Sequence, residues 1–236
     1  MLGTLVNTVT ILLGSFIGMI IKGNLKEKYR EIMLQAVGIS VVFVGISSAI
    51  SKLLLPESHA VLYIISLVIG AIAGTWLDIE GRLKDLGIFL ENKLSSGENS
   101  IADGFVKASL LFCVGTMAIL GSLESGIHGN HATLFAKATL DGITSIIFSS
   151  ALGLGVMLSA FSVLIYQGLL TILAQFIEPY LTQDMLREIS LIGGILITTL
   201  GLDMLGIKKI KTGNMLPAVL VPVIYYLIVG VVKPLL

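Results

Sequence analysis

The stretch ATLFAKATLDGITSIIFSSALGLGVMLSAFSVLIYQGLLTILAQFI, residues 132–177, decides how this chain is built. As a single helix it would be roughly 69 Å long at 1.5 Å per residue, more than twice the hydrocarbon thickness of a bilayer. It must therefore turn back, and Gly153 and Gly155 mark the place where the backbone is freest to do so. In its first half Lys137, Asp141, Ser145 and Ser149 recur every four residues, which places them in one polar stripe on an otherwise apolar helix. A charge near the centre of a bilayer costs about 2.5–3.5 kcal/mol on insertion scales. The stripe therefore needs an interior partner or a water-filled path.

The rest of the chain is of the same kind. It is 55% hydrophobic and 13% charged, with 26 glycines, and its mean hydropathy is +0.98. Soluble domains carry about 25% charged residues, so this composition belongs to a polytopic membrane protein. Apolar runs near 2–21, 32–55, 60–77, 105–123, 132–152, 154–177, 189–207 and 215–232 give about eight spans. The expected fold is all-α, one glycine-rich transmembrane helical bundle over residues 1–236 without a separate soluble domain. The first run lacks a basic leader and is too long for a signal peptide, so it reads as a retained span. Cys113 is the lone cysteine and lies in an apolar run, which excludes an internal disulfide. A net charge of zero, with no basic stretch interleaved with aromatics, argues against a nucleic-acid partner.

Charge placement tests the division into spans. With eight spans, Lys22, Lys26, Lys28 and Arg30 share a side with Arg82, Lys84, Lys93, Lys107, Lys208, Lys209 and Lys211, 11 of the 15 basic residues. The positive-inside rule makes that side cytoplasmic and puts both termini outside. If residues 132–177 crossed only once, the split would fall to 8 against 7, so two crossings are preferred. The only long polar segment, near 78–104, begins LDIEGRLKDLGIFLENKL. Leu83, Leu86, Leu90 and Leu94 recur on one side of it, the pattern of an amphipathic helix on the cytoplasmic interface, followed by a loop.

Two echoes hint at internal duplication. GSFIGMIIKGNLKEK from Gly14 resembles GAIAGTWLDIEGRLKDL from Gly70, and Gly38 and Gly45 in the second span echo Gly194 and Gly201 in the seventh. The latter two spans run in opposite directions, as in inverted-repeat transporters, although close helix packing accounts for such glycines equally well. The motifs at Gly14/Gly18 and Gly70/Gly74 would also suit a homo-oligomer.

Further polar groups fall at membrane depth or at its edge. Asn7 shares a face with Gly3, Gly14 and Gly18, where an interhelical hydrogen bond is the simple reading. Gln167 lies in the sixth span, whose Ser159, Ser162 and Tyr166 make one side unusually polar. Glu80 sits beside Asp78 at the cytoplasmic boundary. Asn214 precedes Pro217 as an N-cap would. Glu124, His128 and His131 lie in the external connection before the fifth span and include zinc-ligand types, but at no established spacing, so no metal is expected.

The strings LLFCVGTMAILGSLESGIHGNHATLFAKATLDGITSIIFSSALGLGVMLSA, YQG and ISLIGGILITTLGLDMLGIKKIKTGNMLPA, with the opening GTLVNTVTILLG and LDIEGRL, resemble a bacterial family of uncharacterised membrane proteins. That family is the one represented by YqgA and YdfK, domain-of-unknown-function family 554. The resemblance spans nearly the whole chain. It implies a multi-pass protein of a bacterial inner membrane and carries no substrate with it.

The residues lead to a secondary transporter or channel for a small solute or ion. Lys137, Asp141, Ser145 and Gln167 would form its central site, Asn7 and Asn214 would complete it, Glu80 joins the candidates, and Glu124 would stand at the external entrance. No cofactor is expected; Asp141 would carry the coupling ion, H⁺ or Na⁺. The alternative is a non-transporting scaffold or regulator assembling through its glycine-rich faces. An enzyme is not expected, because paired catalytic carboxylates, a nucleophile elbow and an HExxH helix are all missing from the sequence. A transporter would carry a hydrated cleft reaching Asp141, whereas a scaffold would bury it in direct contacts.

Overall fold

The computed structural model describes residues 1–23, 27–55, 59–94, 101–114 and 116–232. Its helices are α1 Leu2–Gly23, α2 Glu27–Leu53, α3 Ala60–Trp76, α4 Ile79–Leu94, α5 Ile101–Cys113 and α6 Thr116–Ile127. They continue with α7 Ala132–Leu152, α8 Leu154–Ile172, the single turn α9 Ala174–Ile177, α10 Gln183–Met204 and α11 Leu220–Val232, the last preceded by a 3-10 segment Thr212–Val219. No strand occurs among the described residues.

Five segments are long and apolar enough to cross a membrane unaided: Leu2–Ile21, Leu34–Leu53, Leu154–Ile172, Gln183–Met204 and Thr212–Val229. Two bent pairs, α3 with the start of α4 at 53° and α5 with α6 at 60°, have the length and composition for one further crossing each if each pair is a single broken span rather than a re-entrant loop. The 21-residue α7 has the length, but its polar stripe keeps it below the apolar threshold, and it brings the crossing-length segments to about eight.

Gly153 turns the chain between α7 and α8 with φ of 75°, a conformation open to glycine and strained for other residues. Gly155 serves a different need, because a side chain there would strike the Ile101 carbonyl of α5. The start of α5 corrects the sequence reading. The helix begins at 101 rather than in a loop running to 104, because Ile101, Ala102 and Phe105 are buried against the start of α8 and reward an earlier first turn. The bend before α4 rests on Asp78, the one non-glycine residue with positive φ among those described, at 46°. Leu90 and Leu94 lie outside the residues whose side chains are described.

Close contacts fix the direction of each helix. Going along α1, Gly3 meets Leu134, Gly14 meets Gly142 and Gly18 meets Ile146, so α1 and α7 run side by side in the same sense. Thr4 opposes Thr171, and Asn7 opposes Gln167, so α8 runs the other way. Gly45 and Gly194 press on each other's carbonyls, a Cβ on either standing 2.7 and 2.8 Å from the opposite oxygen, and Gly201 meets the Gly38 carbonyl at 2.9 Å. The two glycine pairs that echo one another in sequence thus face each other across an antiparallel α2–α10 interface with local two-fold character. Gly14, Gly18, Gly70 and Gly74 are buried against α7 and the 3-10 segment, so both small-residue motifs serve contacts within this chain. Outward-facing Phe43, Ile72, Trp76, Phe161 and Phe176 are exposed, as side chains in contact with lipid are. One end of the bundle, the basic end, where α1, α3, α7 and α10 finish, gathers Lys84, Lys107, Lys209 and Lys211.

Candidate functional site

Small residues bring α1 against α7 almost backbone to backbone, since a side chain at Gly14 or Gly18 would strike the Gly142 or Ile146 carbonyl. That closeness carries Asn7 to the polar stripe of α7 near that helix's midpoint. Its Nδ2 donates to Asp141 Oδ2 at 3.0 Å and lies 3.3 Å from Gln167 Oε1 of α8. Lys137 Nζ donates to the same Asp141 oxygen at 2.5 Å. One carboxylate thus joins three helices. Asn7 and Gln167 are fully buried, and Lys137 and Asp141 are each 7% exposed.

The amide orientations follow from the charges. Only the NH₂ of Asn7 can face a carboxylate, so Gln167 must present its oxygen to Asn7. This leaves Asn7 Oδ1 as a buried acceptor and Gln167 Nε2 as a buried donor, and neither has a hydrogen-bond partner. Lys137 makes one hydrogen bond of the three its ammonium can make. Cys113, at the break between α5 and α6, is close enough to feel the charges of both Lys137 and Asp141.

The other sequence candidates are elsewhere. Ser145 lines the α1–α7 contact through Gly14, and its hydroxyl donates back to the Gly142 carbonyl. Glu124 accepts from Thr133 Oγ1 at 2.6 Å, and His131 Nδ1 pairs with Ser125 Oγ at 2.9 Å. No three metal-ligating side chains form a group among the described residues. Asn214 is not the N-cap of its own segment and does not complete the site at Asp141. It lies inside the 3-10 segment, and its Oδ1 accepts the Glu80 N–H at 2.7 Å, capping α4 from a distant part of the chain. Glu80 replies by accepting the Gly213 N–H at 2.9 Å. The two form a latch at the basic end.

Beside that latch opens a cavity of about 700 Å³, lined by polar residues of α4, α5, α10 and the 3-10 segment. Lys107 bridges Asp103 at 3.0 Å and Asp203 at 3.1 Å within it. Leu110, Leu200 and Thr212 lie at its inner limit and also line a narrow apolar gap with Val114, Leu196, Ile197 and Leu216, which has no room for water. Neither space is lined by Asp141. The hydrated cleft expected there is replaced by direct contacts.

Sequence reasoning missed this cavity and also missed Glu188. That carboxylate is 1% exposed in α10 near the opposite end; its Oε1 accepts the His59 N–H at 3.1 Å. A span drawn from residue 189 left it just outside.

Crossing-length helices with an apolar exterior define a multi-pass α-helical membrane protein. The chain belongs to DUF554, a protein family of unknown function whose description matches residues 2–227. It is 41% identical over 222 residues to the uncharacterized membrane protein YdfK of Bacillus subtilis, covering 94% of each chain. It is 29% identical over 224 residues to the uncharacterized protein YqgA of Escherichia coli, covering 93% of each. No solved structure matches it.

Proposed function

We propose that the protein is a secondary transporter for a small solute or ion, drawn here with its central site occluded. The observation that carries this reading is the buried cluster of Asn7, Lys137, Asp141 and Gln167, which retains hydrogen-bonding groups that no protein partner uses. A purely structural cluster gains most when every member is satisfied. Asp141 is the carrier of the coupling ion, because a carboxylate can exchange a lysine partner for a proton or Na⁺. The antiparallel glycine interface of α2 and α10, and the break between α5 and α6 beside the site, supply elements on which one half of the bundle can rock against the other. The membrane is the bacterial inner membrane, with the basic end cytoplasmic and both termini outside. Labelling of Lys209→Cys in a Cys113→Ala background by an impermeant reagent from outside would reverse that orientation.

A second reading, a non-transporting scaffold, draws support from the burial of Asp141 in direct contacts. Its assembly through the small-residue motifs is disfavoured, because those glycines already pack within the chain. Proteoliposomes separate the two readings. With a proton or sodium gradient imposed, solute-driven charge movement in the wild type that disappears in Lys137→Met/Asp141→Leu supports transport. A scaffold shows no flux in either protein.

A further inference from the structure

Taking the transport reading as its basis, we propose that the solute is a small oxyanion, which enters by the cavity at the basic end and takes the place of Asp141 as the partner of Lys137 when that carboxylate is protonated.

Two separate places in the molecule point the same way. At the centre, the groups left over are mostly donors. Lys137 has two N–H groups beyond its bond to Asp141, and both N–H groups of Gln167 Nε2 are unpartnered; against these four stand two acceptor atoms, Asn7 Oδ1 and Asp141 Oδ1, and the second stops being a pure acceptor once the carboxyl is protonated. While Asp141 is ionised the site is neutral. Once protonated it holds the ammonium of Lys137 with no anion beside it, in a setting dry enough to make an oxyanion a strong partner. The charged and titratable groups facing Asp141 are Lys137 on its own helix and Cys113 of α5; Asn7 of α1 and Gln167 of α8 are neutral.

At the basic end, the cavity is lined by Lys84, Lys107, Lys209 and Lys211 against Glu80, Asp103 and Asp203. Each of those carboxylates already has a partner in the chain. Asp103 and Asp203 hold Lys107, and Glu80 holds the Gly213 N–H. Four lysines against three carboxylates leave the lining with one positive charge in excess, and Lys84 and Lys209 have no ion pair within it among the described residues. Its volume of about 700 Å³ lies in the range of small-molecule sites.

One helix runs past the cavity and the dry gap beyond it. Asp103, Lys107, Leu110 and Val114 follow at intervals of four, three and four residues and so share a side of α5. The first three line the cavity, and Leu110 and Val114 line the dry apolar gap. Cys113, next to Val114 in sequence, packs against the core cluster that holds Ile11 and Phe148. None of the four central residues lines the gap, so in this proposal the packing around it would have to open for an anion to pass from the mouth to the centre.

The test uses acetate, lactate and inorganic phosphate as probes, lactate adding a hydroxyl donor for Asn7 Oδ1. In purified full-length protein, Asp141→Asn imitates the protonated carboxylate, and at least one probe should raise its Tm saturably. Lys137→Met/Asp141→Asn is neutral at the same place and should not respond. In proteoliposomes the same probe should enter wild-type vesicles under a proton gradient, and Lys84→Gln/Lys209→Gln/Lys211→Gln should slow entry at low salt by at least roughly tenfold. Equal stabilisation of the two Asp141 variants would overturn the proposal, as would Asp141-dependent flux of cations or neutral solutes alone, which leaves the transport reading standing. Lys137-dependent binding with no flux of any probe would instead keep the oxyanion site and overturn transport. Should Asp141→Asn fail to fold without a probe present, calorimetric binding to the wild type, retained there and lost in the double variant, gives the same decision.

Discussion

Two lysine–carboxylate pairs in this molecule have the same four-residue spacing and opposite surroundings. Asp103 and Lys107 stand acid first, the order that suits a helix, at the mouth of an open cavity, with the Asp103 side chain 56% exposed. Lys137 and Asp141 stand in the reverse order at the middle of α7, where both side chains are about a tenth exposed. Water reaches Asp103 freely, while Lys107, 16% exposed, has a second carboxylate in Asp203 and the cavity beside it. The second has the Asn7 amide as its one further hydrogen-bond partner among the described residues, so its charges depend on each other. Helical spacing alone therefore does not tell an ordinary surface pair from a functional one; the surrounding helices do.

The comparison is most strongly tested at Asp141. Asp141→Asn leaves a buried ammonium, and the usual loss on breaking such a pair is about 3–5 kcal/mol, read as a fall in thermal stability without added anion. The direct contact with Lys137 makes a silent substitution unexpected. Asn7→Leu comes next. It removes the amide that Asp141 and Gln167 share, and leaving buried acceptors unmatched should cost about 1–3 kcal/mol in the same melting assay. Lys107→Gln should have the smallest effect, about 1 kcal/mol and weaker still in high salt, because Asp103 is exposed and the cavity admits water to Asp203. A Lys107→Gln loss equal to that of Asp141→Asn would erase the distinction between the two places.

What the sequence could reveal follows the range of the interactions concerned. The spans, the turn at Gly153 and the stripe of Lys137 and Asp141 are written in runs and periods along a single helix. Asn7 and Gln167 were legible as candidates because a polar amide in an apolar run needs a partner. That they would meet at one carboxylate depends on the glycine contact between α1 and α7, which no local pattern states. Asn214 was misread for a related reason: its position before Pro217 suggested a cap for its own segment, while its oxygen caps α4, 134 residues away. The break between α5 and α6 interrupts a continuous apolar run, so hydropathy gave no sign of it. The cavity at the basic end draws its walls from four separate segments, each of which reads alone as ordinary positive-inside charge.

The most direct test of the account is the double change Lys137→Met/Asp141→Leu, assayed in one preparation for melting and for gradient-driven flux. Apolar residues can replace a purely structural buried pair at little cost, but they cannot bind or release an ion. The account predicts a protein that melts close to the wild type and carries no flux. A double variant that is stable and transports as the wild type does would contradict it.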